Sequence, residues 1–431
     1  MNGPATRSNG LAAKLMLVVF CPFAAGYFLS YFFRNVNAVI SRELVTTFSL
    51  APSDLGFLTA TYFLAFAAFQ LPLGVLLDRY GPRRVLAALF CVAALGALVF
   101  GLAKGLAMLT LGRALIGLGV SGGLMGAIKA YTLWFPPARL ATLTGLHIAI
   151  GGIGGLSATA PVEALLGPFG WRALFYGLAA LSLASAIVIF TVVPEKKLPG
   201  GGDSLGRQFA AFRIVFASAT FWRIATPMVL THAAYQALQG LWLAPWMYDI
   251  AGFDRATVAQ HLFYGATAYA VGSVFFGAAS DRLARRGISH LKVYKIGMVI
   301  TLAMFALLAA GVTKGLFVTV SVYGFCSISA ALAYAILTTR FPREMVGRVN
   351  TAANLLMFTG SFAFQWGIGA MLRFYPAADG GYAPEGYAAA FAILGVVQLV
   401  AVGWLLPMRE RGERGQTPKK GQTPVDKFES K

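Results

Sequence analysis

Two sets of polar side chains interrupt otherwise apolar runs of this chain. Tyr27, Tyr31, Arg34 and Asn37 are spaced four, three and three residues apart, and so are His232, Gln236, Gln239 and Trp242. On a helix this spacing puts each set on one face. Polar groups at membrane depth are costly and mark substrate or ion paths unless they serve only to bond neighbouring helices. The two stripes are therefore expected to wall a substrate cavity, with interhelical hydrogen bonding as the competing expectation. Arg34 would suit a carboxylate, because its planar fork binds two oxygens at once. It also stands toward the outer end of its run, from where it could snorkel to the interface. Gln70, Asn354 and Gln365 divide between cavity lining and packing, and Lys129 between the cavity and a reach toward the cytoplasm.

The acids matter by their placement. Most of the sixteen Asp and Glu fall in loops, at helix ends or in the tail, none at the centre of a crossing, with Glu163 nearest to membrane depth at the outer end of the fifth run. The fixed intramembrane charges are thus positive, which favours a small anionic or neutral polar solute over an organic cation. His147 and His232 titrate in the range where protons could be carried. Asp54, Glu163 or a protonated substrate are alternative carriers, and uniport stays open.

These residues need elements to hold them. The chain has 431 residues, 58% hydrophobic and only 12% charged, whereas a soluble domain carries about a quarter charged residues. It reads as an all-α membrane protein with roughly twelve crossings. The organisation expected is a cytoplasmic N-terminus (1–13), a six-helix bundle (14–194), a polar linker (195–220), a second six-helix bundle (221–407) and a disordered basic tail (408–431). With the N-terminus inside, about 25 Lys and Arg fall on the inner side against about six in the outer loops. This bias puts both termini in the cytoplasm of a multi-pass protein of the inner membrane. It also accounts for the net charge of +19 without nucleic acid, for which there is no basic helix or aromatic–basic platform. The first apolar run is too long for a signal peptide. Cys21, Cys91 and Cys326 are far apart within apolar runs, so no metal site or cofactor is expected. An enzyme is disfavoured, because the chain lacks zinc spacing, a nucleophile elbow and a phosphate loop.

The chain also repeats. Gly74 to Arg79 follows the second run and Gly277 to Arg282 the eighth, with Asp281 lying 203 residues after Asp78. Phe135-Pro136 ends the fourth run and Phe341-Pro342 the tenth, 206 residues apart. The two polar stripes are offset by 205 (232 − 27). Landmarks recurring at nearly one spacing indicate a duplicated unit.

The motif Gly74-x-x-x-Asp78-Arg79-x-Gly81-x-Arg83-Arg84 resembles the loop between helices two and three of the major facilitator superfamily. Its degenerate second copy contains Gly277, Asp281 and Arg282. Gly170-Trp171-Arg172, Pro194-Glu195 and Arg113-Ala-Leu-Ile-Gly117 resemble the superfamily too, and the resemblance covers residues 14–407. It implies two pseudo-symmetric six-helix bundles, with the first and seventh helices lining the cavity and access alternating by rocking of the halves. It also implies that Asp78, hydrogen-bonded to Arg79 or Arg83 and to the start of helix eleven, clamps the halves on the cytoplasmic side; plain topology is the alternative use of those arginines. Arg113 matches a position linked to proton coupling or packing. The expectation is a monomeric secondary transporter of a small solute, anionic and proton-coupled. Drug or metabolite efflux is the alternative, weakened because Gly151-Gly152-Ile153-Gly154-Gly155 lacks the antiporter proline. A non-transporting receptor or assembly protein is the alternative of another class.

Overall fold

The computed structural model describes residues 14–196, 213–342, 345–376 and 382–409. The N-terminal segment 1–13, linker residues 197–212, the tail beyond 409 and the side chain of Asp281 lie outside the described residues.

The chain is a succession of helices. α1 (Met16–Phe48) ends at Ser49 in the left-handed region. The next helix, Pro52–Gly101, starts with Pro52 in the first turn and Asp54 accepting from the Ala51 N–H. Proline lacks an N–H that would go unpaired there, and the acid complements the helix N-terminus. This helix breaks at Gly81 (φ 80°, ψ 159°) into α2 (52–80) and α3 (82–101). Only glycine takes that backbone without strain, and Pro82 then starts the new arm. α4 is Leu106–Trp134 and α5 is Pro137–Ser157. The helix Ala160–Val192 breaks at Gly170, and α6 (171–192) continues from the break. Arg172 at its start donates 2.9 Å hydrogen bonds to the carbonyls of Gly101 and Ala103. It thereby satisfies orphan carbonyls at the end of α3, which gives the Gly170-Trp171-Arg172 sequence a structural reason.

The second half runs through α7 (219–249), α8 (Arg255–Ala284), α9 (His290–Ala309), α10 (Leu316–Arg340), α11 (Val346–Leu372) and α12 (Pro384–Leu405). The repeat is visible in the backbone. Phe135 and Phe341, each before proline, hold nearly the same extended conformation (φ −116°, ψ 150° and φ −117°, ψ 155°). α4 is interrupted at Ser121–Gly122 and α10 by a 3₁₀ turn at Ile328–Ala331, nearly the repeat distance apart. Nine stretches among the described residues are long and apolar enough to cross a membrane. α2, α5 and α7 fall outside that set as separate spans; α5 contributes a shorter apolar stretch, Thr142–Ser157, and a π-helical turn cuts α7.

Close packing rests on small residues. A Cβ at Gly154 would strike the Phe28 carbonyl, and one at Gly117 the Tyr62 carbonyl, so α5 meets α1, and α4 meets α2, backbone to backbone. Outward faces carry exposed Val271, Val274, Val396 and Val400, as a lipid-facing surface requires. The buried apolar residues form two clusters. One runs through the N-terminal half and continues into the Asp249 end of the second half, through Trp242, Met247, Leu262, Leu316 and Leu372. The other is confined to the opposite end of the second half, around Phe221, Tyr294, Leu337 and Val349. The halves thus share one core at one end and have separate cores at the other. The end with separate cores bears Asp78, and by the basic-residue bias we call it the inner end.

Candidate functional site

The side chains brought together between the halves centre on Arg34. It is 4% exposed, and its guanidinium carbon lies 4.4 Å from the centroid of Tyr31, 5.2 Å from that of Phe358 and 5.7 Å from that of Phe66. Its Nε has no hydrogen-bond partner, and among the described residues no carboxylate pairs with it. Tyr27, Tyr62 and His232 lie within electrostatic reach. The guanidinium is therefore turned into the protein, against the snorkelling alternative. Cation–π contacts offset part of the cost of burying it, each contributing about 0.5–2 kcal/mol.

Around this charge stands an aromatic wall. Tyr27 stacks on His147 at 4.4 Å and meets Tyr31 edge-on at 5.0 Å. Tyr235 stacks on Tyr269 at 4.4 Å. Phe66 of α2 and Phe358 of α11 meet across the halves at 4.0 Å. Toward the inner end lies an amide layer. Asn354 Nδ2 donates to Gln70 Oε1 at 3.5 Å, and Tyr334 OH to Asn354 Oδ1 at 3.5 Å. Gln70 also donates to the Ser121 carbonyl, which the break in α4 leaves without a helical donor.

The two stripes diverge from one another. In α1 the stripe is unbroken helix. In α7 the π-helical turn Leu238–Trp242 inserts a residue and rotates the turns beyond it. His232 and Gln236 keep unpartnered buried nitrogens, Nε2 in each. Gln239 instead donates to the Leu262 carbonyl of α8, and Trp242 to the Gln365 carbonyl of α11, each at 2.8 Å. Asn37 likewise donates to Thr59 within its own half. These three bond neighbouring helices, whereas Tyr27, Tyr31 and His232 stand by Arg34, and Gln236 is buried one turn after His232 on α7. Gln365 is buried with both amide atoms unpartnered. Of the coupling candidates, Arg113 donates from Nη1 to the Phe33 carbonyl and lies 5.0 Å from the Tyr62 ring centroid. His147 Nδ1 shares a 2.9 Å hydrogen bond with Tyr131 OH.

At the inner end the loop motif has a contact that the sequence did not announce. Asp78 Oδ1 is 2.7 Å from Lys129 Nζ on α4. It thus has an ion-pair partner in Lys129 that the resemblance did not name, and Lys129 stands with the motif rather than beside Arg34. A lysine ending a long flexible stem reaches a carboxylate one helix away, which spacing along the chain does not reveal. Arg84 and Arg83 lie 2.5 and 3.7 Å from Glu195, Arg83 also donates to the Phe190 carbonyl, and Arg79 lies over Tyr80. Gly74 is half-buried, and Gly277 and Arg282 are exposed. Sequence reasoning missed Tyr62, Phe66, Tyr235, Tyr334 and Phe358. For Tyr235 the signal was available, since it lies three residues after His232, on the same face.

The Major Facilitator Superfamily profile matches residues 23–364 and 243–430. The chain is 24% identical over 356 residues to a protein of Cupriavidus necator described as a probable sulfoacetate transporter, covering 78% of this chain and 81% of that one. It is 23% identical over 405 residues to the hexuronate transporter of Escherichia coli, covering 87% and 89%. Among solved structures, a mutant of the nucleoside transporter NupG matches with a TM-score of 0.73 at 14% identity, over 91% of this chain and 100% of that one.

Proposed function

The chain belongs to the major facilitator superfamily, and on that premise we propose that it carries a small organic anion across the cytoplasmic membrane, coupled to protons, as its two halves rock about Arg34. It is a multi-pass membrane transporter; its cargo class, its coupling and its orientation are our reading.

One observation carries the cargo class: Arg34 is buried among aromatic rings with an unpartnered Nε and no carboxylate beside it among the described residues. A buried cation without a counter-charge is costly, and an incoming carboxylate or sulfonate would complete it with two charge-assisted hydrogen bonds. The aromatic wall excludes water and so strengthens that attraction. Tyr27, Tyr31, Gln70, His232, Gln236 and Asn354 would hold the polar remainder of the solute. Sulfoacetate and hexuronate, named for the two relatives, are both small anions, which supports the class. The cores, joined at the outer end and separate at the inner end, support a cycle in which this state opens to the cytoplasm. Asp78–Lys129 then stiffens the inner end of the N-terminal half as it moves. His147 and His232, both buried or half-buried beside the centre, are the proposed proton carriers, and Arg113 a helix-packing partner of α1. We take the working unit to be the monomer, with both termini in the cytoplasm.

Ligands that bind the folded state raise its melting temperature. Purified protein screened against small anions, cations and neutral metabolites should be stabilised by carboxylates or sulfonates. Stabilisation by cations alone would overturn the assignment.

A further inference from the structure

Gln365 of α11 is fully buried, and neither atom of its amide has a hydrogen-bond partner. Other amides of the region each donate to a neighbour: Gln70 to the Ser121 carbonyl, Asn354 to Gln70, Gln239 to the Leu262 carbonyl and Asn37 to Thr59. An amide kept only to bond helices would do the same. A donor and an acceptor buried together without partners cost stability, so the Gln365 side chain needs another use.

Its position is fixed, and it shares a face with residues of the centre. Asn354, Phe358, Ser361 and Gln365 follow at spacings of four, three and four along α11, which puts them on one side of the helix. On that side Asn354 meets Gln70, and Phe358 meets Phe66 and the Arg34 guanidinium. The Gln365 backbone is held from both halves. Its carbonyl accepts from Trp242 of α7 at 2.8 Å, and a Cβ at Gly56 of α2 would lie 2.9 Å from the same oxygen. The amide lies beside Gly240 of α7, where a Cβ would be 3.7 Å from Gln365 Nε2 and 3.6 Å from the Arg34 carbonyl. The side chain that glycine lacks thus leaves a gap between α1 and Gln365. α1 and α11 both begin at the inner end, and helical side chains lean toward the N-terminus. Arg34 and Gln365 therefore reach in the same direction, away from the joined outer end.

We propose that Gln365 reads a hydroxyl on the cargo, several bonds away from the acid that Arg34 takes. The inference deepens the anion reading and rests on it. An amide offers both an acceptor oxygen and N–H donors. A carboxylate only accepts and an ammonium only donates, so either leaves part of the amide unpaired, and Arg34 repels the ammonium. A hydroxyl accepts from Nε2 and donates to Oε1 through a single oxygen. The helix sets the separation. Phe358, against the guanidinium, and Gln365 are two turns apart, about 10 Å along α11. Hydrogen bonds of about 3 Å at each end take up part of that span and leave room for a chain of about four to six atoms. The cargo is thus a hydroxy acid whose hydroxyl is remote from the acid. Its deoxy counterpart leaves the buried amide unpaired, and sites built to bond a hydroxyl discriminate against such analogues.

The test is calorimetric titration of the purified full chain, at one pH, with matched pairs of acids: butyrate against 4-hydroxybutyrate, and hexanoate against 6-hydroxyhexanoate. The parent should prefer the hydroxy acid of at least one pair by about ten- to a hundredfold. In Gln365→Met, which is of similar length and carries no amide, that ratio should fall to about one. The variant should melt no lower than the parent, because an apolar side chain replaces an unpaired amide. A merely structural Gln365 would weaken both members of a pair together and leave their ratio unchanged. Hydroxy acids bound no better than their deoxy partners by the parent, or a preference that survives in Gln365→Met, would overturn the assignment. A parent that binds no acid of the series would overturn the anion reading itself, and this inference with it.

Discussion

Replacing Arg34 by methionine should strengthen the empty protein while abolishing its response to anions. Methionine is unbranched and of similar reach, and its thioether packs well against aromatic rings. It would keep the contacts with Tyr31, Phe66 and Phe358 and remove only the charge. In the empty state that charge is buried with an unpartnered Nε, and the penalty for such an ion is several kcal/mol. Cation–π contacts return part of it, so the expected gain in stability is about 1–3 kcal/mol. In the loaded state the same change removes one member of a buried charge pair, which costs about 2–5 kcal/mol. The dissociation constant of a carboxylate or sulfonate should then rise about 30-fold to several thousand-fold. Arg34→Lys keeps the charge but loses the fork, and should weaken binding by about tenfold. Thermal unfolding in detergent, with and without sulfoacetate or a hexuronate, reads both effects at once. Destabilisation of the empty protein together with an unchanged ligand shift would refute the reasoning.

Other expected outcomes come from the same structure. Asp78→Asn should insert and fold but lose transport, and Lys129→Gln should match it; because the two share one ion pair, the double variant should be no worse than either single one in vesicle uptake. Gly154→Ala drives a Cβ into the Phe28 carbonyl and should cost about 1–3 kcal/mol by thermal denaturation, whereas Gly167→Ala, with open space around it, should change little. His232→Gln, which keeps a hydrogen-bonding side chain in place, should flatten the dependence of vesicle uptake on pH relative to the parent.

Much of the fold was legible because the signals were periodic or conformational. The offset of the stripes and of the Phe-Pro pairs reports a duplication, and the matching backbones of Phe135 and Phe341 are its physical counterpart. Gly81 could be read as a reversal because only glycine accepts its backbone. Arg34 could be singled out because a charge inside an apolar run must face something other than lipid. Other features were hidden for identifiable reasons. The π turn in α7 leaves no mark in residue spacing, so Gln239 looked equivalent to Arg34 although it bonds to α8. Phe66 and Phe358 are indistinguishable in sequence from ordinary core residues. The Asp78–Lys129 pair unites residues distant in the chain and depends on how helix ends are juxtaposed, which composition and period do not encode.

Passage of a small anion by Arg34 is tested most directly by uptake of labelled sulfoacetate and hexuronate into vesicles reconstituted with the purified protein. We predict saturable uptake of at least one of them, competed by small carboxylates or sulfonates, insensitive to organic cations and lost with Arg34→Met. Uptake that cations compete for, or that persists undiminished in Arg34→Met, would contradict a carrier built around that charge.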